Sequence, residues 1–313
     1  MPETVPVCFK NAAGQQLVGI LHRPDVPVPG RPCILLLSPG VKMRVAPHRM
    51  YNKMADEFVK EGFTVLRFDF AGLGDAEGDI EHGQLSQVYS AIQLGCFVED
   101  THAALDWLQT ECGISRCIAG GLCGGAITGL LAAEGDARIV GLLALGIPVI
   151  LDGGEAQWSA HLTKGQLDQL RQGYVRKILD PASWVRLLSF KSDYRAIGKS
   201  FRRLLERGTR PASVSVSDAS RAGAPPDNTN PKFAPAFFAM LESGRPMLHI
   251  FSGSDRLAAE FKEKFEDRYP DRLAEHGDAL EVRIIEKANH ILAHPDWFNE
   301  MLTLSRGWLQ RFQ

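Results

Sequence analysis

The stretch with the most chemical content is Gly121-Leu122-Cys123-Gly124-Gly125. It fits the pattern glycine, any residue, nucleophile, any residue, glycine, with cysteine in the nucleophile position. A side chain there sits on a tight strand-to-helix turn with strained backbone angles. Glycines two before and two after let the chain pass close to itself. The turn lifts the thiol out of the sheet, at the N-terminus of the next helix. The helix dipole and free N–H groups there favour a thiolate and stabilise an oxyanion. Apolar Ile118-Ala119 and helical Ala126 to Ala133 flank the motif as it requires. No serine stands in such a pattern anywhere in the chain. The plainer alternative is a buried structural cysteine in a glycine-rich turn, and the flanking patterns weigh against it.

A nucleophilic cysteine needs a base within reach, and the base needs an orienting group. His290 follows the strand-like run Leu280 to Ile285 across Glu286-Lys287-Ala288-Asn289. That places it at the carboxyl end of a strand, where catalytic groups of parallel sheets gather. His294 is its nearest rival. His249 lies inside a strand and reads as structural, and His48 could touch substrate or do nothing. Asp255 follows the strand Met247 to Phe251 through Ser252-Gly253-Ser254, and is favoured as the acid over Asp152. The oxyanion donors are expected to be the N–H of Gly124 and that of Val41, in the loop Gly40-Val41-Lys42. No zinc spacing appears among the cysteines, and Gly72-Leu73-Gly74 lacks the third glycine of a dinucleotide loop. We expect no metal and no cofactor.

These groups need elements to hold them. Compact apolar runs at Leu17 to His22, Cys33 to Leu37, Phe63 to Phe70, Arg116 to Leu122, Val140 to Ile147, Met247 to Phe251 and Leu280 to Ile285 predict strands. Helical spacing lies between them, around Tyr51 to Gly62, Phe97 to Thr110 and Pro295 to Phe312. The alternation predicts an α/β fold, a mostly parallel sheet with helices on both faces. From 151 to 235 the rhythm breaks into helical, Trp- and Arg-containing segments, which suggests a cap or lid inserted into a core of 1–150 and 236–313. Ser213 to Asn230, rich in Ser, Ala, Pro and Asn, reads as a loop. Trp158, Trp184 and Phe237-Phe238 either shape an apolar pocket or, more commonly for such residues, fill core.

The 313 residues are 45% hydrophobic and carry a formal net charge of -2, which suits a large buried core. Neither nucleic acid nor an anionic membrane is suggested as a partner. No run approaches the ~18 apolar residues that span a bilayer, and the N-terminus does not resemble a signal peptide. Six cysteines without paired spacing suggest a reducing, cytoplasmic setting.

With these motifs in place, the chain resembles the α/β-hydrolase superfamily. Leu35-Leu36-Leu37-Ser38-Pro39-Gly40 is similar to its strand and oxyanion turn. Phe68-Asp69-Phe70-Ala71-Gly72-Leu73-Gly74-Asp75 resembles its D-x-x-G-x-G-x-S stretch, with Ala76 in the serine position. Arg44-Val45-Ala46-Pro47-His48-Arg49 and Val65-Leu66-Arg67-Phe68-Asp69-Phe70 are similar to the exosortase-A-associated hydrolases and their serine-aminopeptidase-like relatives. The order nucleophile, acid, histidine is that of the superfamily. The likeness covers the core and hardly touches 151–235. Most members carry serine where this chain has Cys123, and the likeness to dienelactone hydrolase is limited to a cysteine nucleophile with acid and histidine. The resemblance implies an α/β-hydrolase fold for the core; the helical cap insertion rests on the broken rhythm of 151–235, and the small-molecule acyl substrate on the chemistry of the nucleophile.

The residues themselves predict acyl transfer from an ester, thioester or lactone through an acyl-cysteine. Water, an amine, an alcohol or a thiol can accept the acyl group, so acyltransferase or cyclase stands beside hydrolase. A thioester donor on coenzyme A or a carrier protein suits thiol exchange. A non-catalytic binding scaffold is the remaining class. The sequence sets no oligomeric state.

Overall fold

In the computed structural model, residues 3–80, 85–151 and 227–312 are described. Eight strands form one sheet: β1 Glu3–Lys10, β2 Gln16–Arg23, β3 Cys33–Leu37, β4 Val65–Phe68, β5 Cys117–Leu122, β6 Ile139–Leu145, β7 Met247–Ser252 and β8 Leu280–Ile285. Their spatial order is β1-β2-β4-β3-β5-β6-β7-β8. β2 runs antiparallel to β1 and β4, and every pair from β4 through β8 is parallel. β3, β4, β5 and β7 are buried along their whole length. Their near-continuous apolar sequence follows from having helices on both faces.

Alternation along the strands divides the core in two. Cys33, Leu35 and Leu37 of β3 face one side, with α3 (Val98–Cys112) and α4 (Gly124–Gly135). Ile34 and Leu36 face the other, with α1 (Met50–Lys60) and the C-terminal helix Pro295–Leu309. Helix ends follow ordinary rules. Glu99 and Asp100 stand in the first turn of α3, and Gly113 ends it in the left-handed conformation at φ 66°. Pro295 opens the last helix, where its missing N–H is harmless.

Several elements were not expected from sequence, and two of them are instructive. Pro6 breaks the pattern of β1, yet a proline is tolerated in a strand at the sheet edge, and Val7 and Phe9 are buried from it. The second is α2, Leu85–Gln93. Phe237 and Phe238, considered above as pocket wall or core, are core. They lie on the helix Phe233–Glu242, fully buried, with Phe265 against both rings.

The stretch assigned to a cap lies mostly outside the described residues, as do Trp158, Trp184 and Asp152. Its two stems are visible. Leu151 donates to the Asn228 carbonyl at 2.9 Å, Asn230 donates to the Val149 carbonyl at 2.8 Å, and the Asn230 side chain reaches the Gln93 carbonyl at 2.6 Å. Val149 to Leu151 and Asn228 to Asn230 therefore lie side by side. Among the described residues no helix is long and apolar enough to cross a membrane.

His249 on β7 is buried against Phe237, Phe251 and Phe261, and neither ring nitrogen has a hydrogen-bond partner among the described residues. Burial lowers its pKa from 6.5 to about 3. Above pH 6.5 the ring is neutral in the folded and unfolded chain and adds no pH-dependent cost; as pH falls from 6.5 towards 3 stability is lost, because only the unfolded chain takes up the proton. His249→Leu is expected to raise stability at pH 7 by about 1 kcal/mol, since it removes a buried polar group without a partner. It should also flatten the acid limb between pH 6.5 and 3. Urea titrations of both proteins across that range check this, and an unchanged midpoint at every pH would count against it.

Candidate active site

The carboxyl edge of the sheet collects the predicted residues. Cys123 caps α4 directly after β5, at φ 53° and ψ -109°. A side chain tolerates this conformation at a cost of about 1–3 kcal/mol. Close packing holds it there. A Cβ on Gly121 would lie 2.5 Å from the Gly125 carbonyl carbon, and one on Gly125 would overlap the Leu37 carbonyl oxygen. A Cβ on Gly124 would stand 2.7 Å from the Gly40 backbone. The sequence pattern required the outer two glycines. The third, Gly124, is required by its contact with the loop after β3. The Cys123 N–H donates to the Leu145 carbonyl at 2.8 Å, extending the β5–β6 ladder to Cys123 itself. Its thiol is half-buried.

Two loops after neighbouring strands are stitched together. Gly253 donates to the Ile285 carbonyl at 2.9 Å and Ser254 to the Ala288 carbonyl at 3.0 Å. The Ser252 hydroxyl donates to the Asn289 carbonyl at 2.8 Å. Gly253 is needed because a Cβ would run into the Glu286 backbone. This stitching delivers Asp255 to His290, with Asp255 Oδ2 2.5 Å from His290 Nδ1. The other carboxylate oxygen accepts the Arg256 N–H at 2.7 Å. With Nδ1 engaged by Asp255, Nε2 is the nitrogen left for Cys123, which stands close enough to raise the pKa of the ring. Burial of the ring works against its protonation. Hydrogen bonds and charge from Asp255 and Cys123 outweigh that, and raise the His290 pKa from 6.5 to about 10. The ring lies beside Gly146, the left-handed residue that follows β6.

The rival residues are elsewhere or otherwise occupied. His294 caps the last helix, where its ring accepts the Asp296 N–H at 3.3 Å. His249 is in the core and His48 is exposed, in a left-handed turn. Val41 is half-buried on the loop after β3, and Gly124 opens α4, whose first-turn N–H groups have no acceptor within the helix. A cleft of about 620 Å³ lies between α1 and the last helix, lined by Met50, Lys53, Leu292 and Phe298 among others. Cys123, Asp255 and His290 are not in its wall. Among the described residues no group of three or more His, Cys, Asp and Glu side chains is arranged to hold a metal ion.

Tyr51 is the residue that sequence reasoning missed. It is fully buried on α1, donates to the Leu37 carbonyl at 2.8 Å and accepts the Leu122 N–H at 2.7 Å. Burial pushes its phenol up, so the hydroxyl stays protonated. It ties the end of β3 to the residue before Cys123. The available signal was a tyrosine on the apolar face of a helix, whose hydroxyl must find a buried partner. Tyr51→Phe keeps the ring and leaves the Leu122 N–H without its acceptor. A loss of about 1–3 kcal/mol is expected in denaturant unfolding; no loss would mean that the hydroxyl is not structural.

No family model and no curated protein matches the chain. Solved structures do match over nearly its whole length. An esterase from Pyrococcus furiosus is 15% identical with a TM-score of 0.58, covering 99% of this chain and 92% of that one. Dienelactone hydrolase from Anabaena variabilis is 14% identical with a TM-score of 0.57, covering 99% and 98%. An α/β hydrolase from Penicillium is 18% identical with a TM-score of 0.50, covering 99% of each chain. At these identities the likeness establishes the fold, which is the α/β-hydrolase fold.

Proposed function

We propose that this protein is an acyl-processing enzyme, a hydrolase in its simplest form, that works through an acyl-cysteine at Cys123. The observation that carries the proposal is the hydrogen bond between His290 and Asp255 at the carboxyl edge of the sheet, with Cys123 close enough to raise the pKa of the histidine. His290 takes the thiol proton and Asp255 fixes its tautomer. The thiolate attacks an ester, thioester or lactone carbonyl. The Gly124 and Val41 N–H groups hold the oxyanion. The tetrahedral centre collapses, the carbonyl re-forms, and the leaving group departs with the proton from His290. Water then gives its proton to His290 and attacks the acyl-cysteine, releasing a carboxylic acid and restoring the thiol.

The hydrolytic names of proteins with the same fold favour this reading. Cysteine in place of the commoner serine favours a second one, transfer to an amine, alcohol or thiol, because a thioester intermediate is reactive toward all three. A donor thioester on coenzyme A or a carrier protein fits either. Kinship with the exosortase-A-associated hydrolases rests on the segments 44–49 and 65–70, and a cytoplasmic setting rests on cysteine usage. A binding scaffold without catalysis would have no use for a strained nucleophile turn with a paired histidine.

The test is intact-protein mass spectrometry after exposure to a panel of acyl thioesters and activated esters, with Cys123→Ala alongside. An acyl mass on the wild type and none on the variant supports the proposal and shows which acyl groups fit. No adduct and no turnover across the panel shifts the weight to the scaffold.

A further inference from the structure

The loop that carries Gly40 and Val41 is gripped at both ends. At one end Gly40 lies against Gly124, with the Tyr89 ring 3.1 Å from where a Gly40 Cβ would stand. At the other end is Arg44. Its backbone N–H donates to Asp69 Oδ1 at 2.6 Å. Its guanidinium donates to Asp69 Oδ2 and, at 2.6 Å, to Asp75 Oδ2. The Asp75 N–H donates to Asp69 Oδ2 at 3.0 Å. Gly74 turns beneath the carboxylate at φ 57°, where a Cβ would overlap Asp69.

Asp69 is fully buried, the Arg44 side chain is 13% exposed, and Asp75 is mostly in solvent. A buried ion pair gains little net stability, because desolvation offsets the attraction. Its four hydrogen bonds instead fix geometry. They tie a loop from one strand end to the turn after β4, and so limit where the three residues between Gly40 and Arg44 can go.

Building on the acyl-cysteine proposal, we infer that Arg44 is a positioning residue: clamped by Asp69 and Asp75, it holds the 40–44 loop so that the Val41 N–H meets the oxyanion formed on attack by Cys123. Arg44 itself does not touch substrate. The clamp is a requirement of acyl chemistry alone, and not of thiol reactivity.

Two reactions of the same thiol separate those requirements in the full-length protein. Iodoacetamide alkylates Cys123 at a saturated carbon, with loss of iodide and no oxyanion. p-Nitrophenyl acetate acylates it through a tetrahedral oxyanion, with release of p-nitrophenolate. In Arg44→Ala, alkylation is expected to stay within about twofold of wild type, while acylation slows about 100-fold, the cost of misplacing one donor by about 1 Å. Arg44→Lys should recover part of the rate, since an ammonium meets one carboxylate but cannot bridge both. Asp75→Asn removes only the exposed arm, so it tests the clamp in a protein that folds; acylation should slow by about fivefold. Equal slowing of both reactions in all three variants, or acylation at the wild-type rate, overturns the inference. Wild-type protein that is alkylated but never acylated overturns the acyl-cysteine proposal, and the inference falls with it.

Discussion

Cys123→Ala is expected to abolish acyl uptake and to lower any turnover by about 10⁴-fold or more, with the fold unchanged. The size of the effect follows from where the side chain stands. Every contact that builds the turn is a backbone contact: the Gly121–Gly125 approach, the Gly124–Gly40 approach and the Cys123 N–H to the Leu145 carbonyl. Removing the sulfur disturbs none of them. Alanine carries the same Cβ into the same left-handed conformation, so the turn is undisturbed, and any loss of midpoint at pH 7 is confined to the share of His290 protonation that Cys123 supplies. Activity that survives it would rule out covalent catalysis at this residue. Cys123→Ser sharpens the reading, since it keeps a nucleophile on the turn and replaces a thioester intermediate by an ester. If that variant hydrolyses simple esters better than wild type, cysteine serves transfer more than hydrolysis.

The second large effect is expected from His290→Asn, which should slow acyl uptake by Cys123 at pH 7 by about 100-fold or more. Burial alone would favour a neutral ring, but Asp255 and Cys123 hold the imidazole protonated to about pH 10. The sign for stability follows. The folded pKa lies above the unfolded value of 6.5, so the contribution is fully present below pH 6.5. It is lost as pH rises through about 10. Relative to the variant, wild-type protein should lose midpoint between those limits. In alkylation by iodoacetamide the wild type should be faster at pH 6 to 8, and the variant should catch up in alkali, where hydroxide does the work of the histidine. Parallel pH profiles for the two proteins would remove His290 from the proposed mechanism.

The parts of the site visible in the sequence are those tied to strand ends. Cys123, Asp255 and His290 each follow an apolar run and a short polar turn, and hydrophobic patterning finds such places without tertiary information. The residues that hold them act across the fold and leave no local pattern. Tyr51 reaches Leu37 and Leu122 across fourteen and seventy-one residues, and Arg44 finds Asp69 twenty-five residues away. Gly124 reads as one more glycine until Gly40 is seen against it. β1 was hidden by Pro6, whose place at a sheet edge depends on strand order, and strand order is a property of the whole sheet. The aromatic pair Phe237-Phe238 could be pocket or core by composition; only the helix that carries it, packed on Phe265, decides for core.

The nucleophile turn sets durability against reactivity. At φ 53° and ψ -109° glycine is comfortable and every other residue is strained. Cys123→Gly would relieve about 1–3 kcal/mol, a sizeable share of the ~5–15 kcal/mol that keeps a domain folded. Heat-resistance screening of random variants would thus reward the loss of the very side chain on which the proposed chemistry depends. Any laboratory evolution of this chain towards thermal robustness has to select for thiol chemistry in the same round, or it will recover an inert and more durable protein.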